Sequence, residues 1–129
     1  MSDAAPEVGP FDEARLRAAL PSAWSLATAV QWTADNPASG QCNVTAAVVH
    51  DLFGGEIRRT LLGDVWHYYN WIDGRRVDLT DSQFTAPGAR FAAPEGYQDV
   101  PSHRAEALTG IPQREYDSLR AALVKALGT

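Results

Sequence analysis

The sequence predicts an α+β fold in which helices pack on a small antiparallel sheet and one buried helix is central. Three segments carry that prediction. Gln41 to Phe53 is apolar at helical spacing and follows a loop of turn formers. Val65 to Ile72 and Arg75 to Leu79 are strand-like and joined by Asp73-Gly74. Gln113 to Leu127 places Tyr116, Leu119, Leu123 and Leu127 on one helical stripe.

The elements follow in chain order. Residues 1–10 contain Pro6, Gly9 and Pro10 and read as a loose tail, leaving 11–129 as a single catalytic-type domain. Phe11 to Leu20 has acids in its first turn and apolar residues at helical spacing, so it reads as a short helix stopped by Pro21. Ser22 to Trp32 is apolar and reads as a second short helix. Thr33 to Gly40 contains Asn36-Pro37 and Ser39-Gly40, which are turn formers. The helix from Gln41 is apolar nearly all round, as a buried helix is, and Gly54-Gly55 ends it. Glu56 to Leu62 reads as a strand, and Gly63-Asp64 turns the chain into the aromatic strand Val65 to Ile72. Asp73-Gly74 is a strong two-residue hairpin signal. Thr80-Asp81-Ser82-Gln83 has capping-box spacing and predicts a short helical turn. Residues 85–103 are rich in Pro, Gly and Ala and read as irregular.

Composition narrows the function. The 129 residues are 45% apolar and 21% charged, an ordinary composition for one domain with its own core. The net charge is −5 and the cations are scattered, which disfavours nucleic-acid binding. No apolar stretch is long enough to span a bilayer, and the start of the chain does not read as a signal peptide. The chain has one cysteine, too few for a disulfide or a cysteine-rich zinc site. A cytoplasmic setting with no cofactor and no metal is therefore expected, and Cys42 is left as a free thiol.

A nucleophilic cysteine needs a lowered pKa, a base within reach and donors for a developing oxyanion. The start of a helix answers the first and third needs, because its unpaired N–H groups and dipole favour both anions. Cys42 holds that position, with Gly40 allowing close approach and Gln41 as a candidate side-chain donor. The base is expected on a neighbouring strand. A two-residue turn at Asp73-Gly74 pairs Ile72 with Arg75, which puts His67 and Asp78 on one face as diagonal neighbours. That face is expected to look at the Cys42 helix, with Asn70 pointing the other way. Cys42, His67 and Asp78 form the candidate triad, and Trp66 beside His67 is a candidate wall of the substrate cleft. His50 reads as structural or surface, and His103 as solvated.

Residues 36–46 (NPASGQCNVTA), 51–57 (DLFGGEI), 67–70 (HYYN) and 73–84 (DGRRVDLTDSQF) closely resemble the YunG-like family of small uncharacterised bacterial proteins. The resemblance covers roughly residues 21–84. More distantly, a Cys at a helix start, a His opening a strand and an Asp-x-Thr closing the next are similar to transglutaminase-like and papain-like enzymes. Papain-like enzymes place their oxyanion Gln several residues before the nucleophile, whereas Gln41 adjoins Cys42. This distant resemblance implies a papain/transglutaminase-like fold and a cysteine-dependent acyl-transfer enzyme. Its substrate would be an amide or related acyl compound, including peptide or protein; hydrolase, deamidase and transglutaminase chemistry all stay open. The alternative is a non-catalytic domain on the same fold that binds a peptide or small molecule. Neither oligomeric state nor partner is legible.

Overall fold

The first helix starts at Asp12, whose carboxylate accepts from the Arg15 amide at 3.2 Å and so satisfies one free first-turn donor. The computed structural model describes residues 8–128. The tail expected over 1–10 thus falls largely outside the described residues, but Val8 is buried and its carbonyl accepts from Arg15 Nη1. Helix α1, Glu13–Ala23, buries Leu16, Leu20 and Ala23. It does not stop at Pro21. A proline in the last turn removes only its own N–H, and the Trp24 amide still reaches the Leu20 carbonyl at 2.9 Å. Trp24 is buried and donates its indole N–H to Thr45 Oγ1, which ties the end of α1 to the next helix.

The helix expected over 22–32 does not form beyond the end of α1; the segment is a series of turns. Ser25 and Thr28 explain this locally. Ser25 Oγ accepts from the Ala27 amide, and Thr28 Oγ1 accepts from the Ser25 amide. Such short-range side-chain bonds compete with helical ones.

Helix α2, Cys42–Phe53, forms where expected and buries every residue from Val44 to Val49. It packs against the C-terminal helix, Gln113–Leu127, and against the sheet. Each fully buried Val contributes roughly 1.5–3 kcal/mol, which offsets the weak helix propensity of its β-branched residues.

The antiparallel strands β1 (Glu56–Leu62), β2 (Val65–Ile72), β3 (Arg75–Val77) and β4 (Val100–Ser102) form a sheet ordered β3-β2-β1-β4. Asp73 and Gly74 have φ of 54° and 77°, the left-handed pair that a tight hairpin with right-handed strand twist requires. The register is the expected one, Ile72 opposite Arg75 and Asn70 opposite Val77, but the ladder ends at Val77, short of Leu79. The Thr80 spacing yields a 3₁₀ turn, Asp81–Phe84, without the reciprocal box; Gln83 Nε2 donates instead to Thr80 Oγ1 at 3.1 Å.

The stretch 85–103 is not wholly irregular, since β4 pairs with β1. Its Pro101 suits an edge strand, where a missing N–H is tolerated. A short helix α3 (Arg104–Ala107) starts at His103, whose Nδ1 accepts from the Glu106 amide. Helix α4, Gln113–Leu127, buries the predicted stripe together with Glu115. The core joins α1, α2 and α4 through Leu16, Leu20, Val44, Val48, Leu119 and Leu123, and Ile72, Val77 and Leu79 meet it from the hairpin. The fold is α+β, helices on a small antiparallel sheet. Among the described residues no helix is long and apolar enough to cross a membrane.

Candidate active site

Cys42 is the first residue of α2 and is partly exposed. Gln41 precedes it as N-cap but gives the helix no side-chain cap. The first-turn amides, which have no acceptor four residues earlier, are thus left without that competitor. Gly40 has φ of 75°, and a Cβ there would meet the Gln31 side chain at 2.5 Å, so the loop before the thiol closes tightly only with glycine. Asn43 holds the helix start from the other side. Its Nδ2 donates to the Ala107 carbonyl at 2.8 Å, and its Oδ1 lies 3.3 Å from Cys42 Sγ.

The predicted His67–Asp78 diagonal is present. His67 Nε2 and Asp78 Oδ2 are 2.7 Å apart, and the two residues are 1% and 6% exposed. Three further donors hold Asp78: Tyr97 OH on Oδ2 at 2.7 Å, and the Thr80 amide and hydroxyl on Oδ1. Burial opposes charge on the imidazole, but hydrogen bonds to Asp78 and to the Cys42 side chain outweigh it and push His67 up to about 9. His67 therefore carries its proton at neutral pH. With Nε2 engaged by Asp78, Nδ1 is the ring nitrogen left to face the thiol.

The face expectation needs correction. Asn70 donates to the Ala46 carbonyl in the middle of α2, and Ile72 and Val77 join the core on that same side. Alternation along the strands puts His67, Tyr69 and Asp78 on the opposite face. There Phe84 and Tyr97 cover them, with ring centroids 5.1 Å from His67 and 5.1 Å from Tyr69 respectively. The thiol meets this face from the helix end rather than from above its middle. A strap secures the cover: Asp99 accepts from Tyr69 OH at 2.8 Å and from Arg76, while the Arg76 guanidinium lies 4.1 Å from the centre of the Tyr97 ring. Burial and Asp78 together push the Tyr97 phenol well above its usual range, so it stays a donor.

Cys42 and His67 both line a cavity of about 530 Å³, as do Gly40, Trp66, Gln31, Gln83 and Glu115. That volume accommodates a small molecule or a few residues of a peptide. Gln41 does not line it. Its side chain is fully buried and its Oε1 accepts from Thr28 Oγ1 at 2.8 Å, so it braces the loop. The reason is a partner thirteen residues away: Thr28 holds the Gln41 side chain inward, while Cys42 stands at the cavity rim. Sequence reasoning did not reach Gln31, Tyr97 or Glu115 as site residues. Gln83 carried a legible signal in its spacing from Thr80, and Asn43 in its adjacency to the thiol. Tyr97 carried none, since it lies in a segment without periodicity. Among the described residues no three His, Cys, Asp or Glu side chains cluster as a metal site.

A model of the YunG protein family matches residues 12–128. The chain is also similar to a Bacillus subtilis (strain 168) protein described as "Uncharacterized protein YunG". The two are 38% identical over 110 residues, covering 85% of this chain and 90% of the relative. No solved structure matches.

Proposed function

The chain belongs to the YunG protein family, and from its site geometry we propose that it is a cysteine-dependent acyl-transfer enzyme of papain/transglutaminase-like design. The observation that carries the proposal is the buried His67–Asp78 pair at 2.7 Å, sharing a cavity with a thiol at an uncapped helix start. A structural histidine would not need a free thiol beside it, and a structural thiol would not need to stand at the rim.

In the proposed reaction, His67 holds the thiol proton as imidazolium and Cys42 is the thiolate. The sulfur attacks an acyl carbonyl carbon, and the carbonyl electron pair moves onto oxygen. The first-turn amides of α2, that of Cys42 foremost, donate to this oxyanion. Its collapse breaks the C–N bond, and His67 gives its proton to the departing amine, leaving a thioester and a neutral imidazole. A second acceptor then adds to the thioester as His67 removes its proton, and the thiolate–imidazolium pair returns. Water as acceptor gives a hydrolase or deamidase, and an amine gives transfer. Asp78 keeps Nε2 protonated and the ring oriented. Gly40 permits close approach of the acyl group, and Trp66 walls the cleft. The lone free thiol fits a cytoplasmic, reducing setting.

The test is alkylation of Cys42 by iodoacetamide across pH, in the natural protein and in His67→Ala, Asp78→Asn and Cys42→Ser. The natural protein should react at pH values where an ordinary thiol is protonated, and His67→Ala should move the midpoint upward. An alkylation profile indifferent to His67→Ala would overturn the proposal and favour a binding domain. An activity-based thiol probe screen with mass spectrometry of the labelled site would then identify the acyl class.

A further inference from the structure

The cavity holds a charge that the proposed chemistry does not use. Glu115, the third residue of α4, lines it and is 9% exposed. Among the described residues its carboxylate has neither an ion-pair partner nor a hydrogen bond; its backbone amide donates to the Pro112 carbonyl. The side chain is held against the cavity wall while its carboxylate oxygens keep contact with solvent, so the charge is open to whatever occupies the cavity and no protein group answers it. An acid in the first turn of a helix is stabilised by the dipole, but that benefit is equally available to an exposed acid and does not explain burial.

We propose that Glu115 selects substrates carrying an ammonium or guanidinium group, which binds its carboxylate while the acyl carbon faces Cys42. The proposal builds on the acyl-transfer reading for the reacting carbon and names the substrate class. The walls beside Glu115 fit such a group: Val30, Ile111 and Pro112 line the same cavity and would carry the aliphatic stem of a lysine, arginine or polyamine side chain. Arg90 and Arg114 line it too, but both are exposed. The exposed guanidinium groups are the more strongly screened by solvent and salt, whereas the Glu115 side chain is packed against the cavity wall, so its carboxylate governs selection. The thiolate–imidazolium pair is neutral as a whole and adds no net preference.

Because Cys42 is the sole cysteine, methanethiosulfonate reagents of different charge report on this cavity alone. The rates with the aminoethyl (cationic), methyl (neutral) and sulfonatoethyl (anionic) reagents are measured and normalised to a small free thiol. The cationic reagent should be favoured over the neutral one, and Glu115→Gln should cut that ratio at least about threefold. In the natural protein, n-butylammonium should slow labelling by the neutral reagent and butyrate should not, which tests the idea even if Glu115→Gln fails to fold. A preference for the anionic reagent, an unchanged ratio in Glu115→Gln, or protection by butyrate alone would overturn the proposal. The ratio cancels the intrinsic nucleophilicity of the thiol. An indifferent response to His67→Ala would therefore defeat the acyl-transfer reading without disturbing this test.

Discussion

Replacing Asp78 by Asn isolates the electrostatic centre of the site. The change keeps shape and an acceptor oxygen but removes the charge that His67 Nε2 meets at 2.7 Å. In the natural protein burial disfavours the imidazolium, yet Asp78 and Cys42 raise His67 from 6.5 to about 9. At roughly 1.4 kcal/mol per pH unit, that rise corresponds to about 3 kcal/mol of folded-state preference for the protonated ring. The folded pKa lies above the unfolded one. This stabilisation is therefore fully present below about pH 6.5 and is lost as pH rises through about 9. In Asp78→Asn burial acts with far less opposition, so the midpoint should fall by at least about two units. Two assays read the effect: the His67 ring proton shift in an NMR titration, and urea unfolding at pH 6 and pH 9.5. Both are run on Cys42→Ser as well, so that ionisation of the thiol is not counted as that of the imidazole. The natural protein should lose on the order of 2–3 kcal/mol between those pH values, and Asp78→Asn should lose little. A natural His67 titrating at or below 6.5, or a midpoint unmoved by Asp78→Asn, would refute the reasoning.

Three further outcomes are expected. Tyr97→Phe removes one donor from Asp78 Oδ2; that oxygen then serves His67 alone, so the His67 midpoint should rise in the same NMR titration while stability falls by about 1 kcal/mol. Gly40→Ala places a Cβ at a φ of 75° against the Gln31 side chain, which should cost about 1–2 kcal/mol in thermal unfolding and slow Cys42 alkylation by shifting the loop. Asn70→Ala removes the second donor of the Ala46 carbonyl, which keeps its helical partner, and should cost about 1 kcal/mol, yet leave the pH midpoint of Cys42 alkylation unchanged, because Asn70 lies on the other face of the strand.

What could be read from residue order alone is what short-range forces decide. Asp73-Gly74 tolerates left-handed backbone, so the hairpin register follows from local chemistry, and with it the His67–Asp78 diagonal. The placement of Cys42 at a helix start follows from the turn formers before it and the apolar spacing after it. The α4 stripe is equally local. Where partners are distant in the chain, local reasoning failed. α1 runs past Pro21 while Trp24 finds Thr45. β4 exists because β1 offers an open edge. Gln41 turns inward because Thr28 awaits it, and Tyr97 reaches Asp78 across a segment with no pattern of its own. The face that His67 presents was decided the same way, by Asn70, Ile72 and Val77 claiming the helix side first. Periodicity and turn propensity act over a few residues. Which polar atom finds which partner is settled by the packing of the whole chain, because each buried donor must be satisfied by whatever segment folds against it.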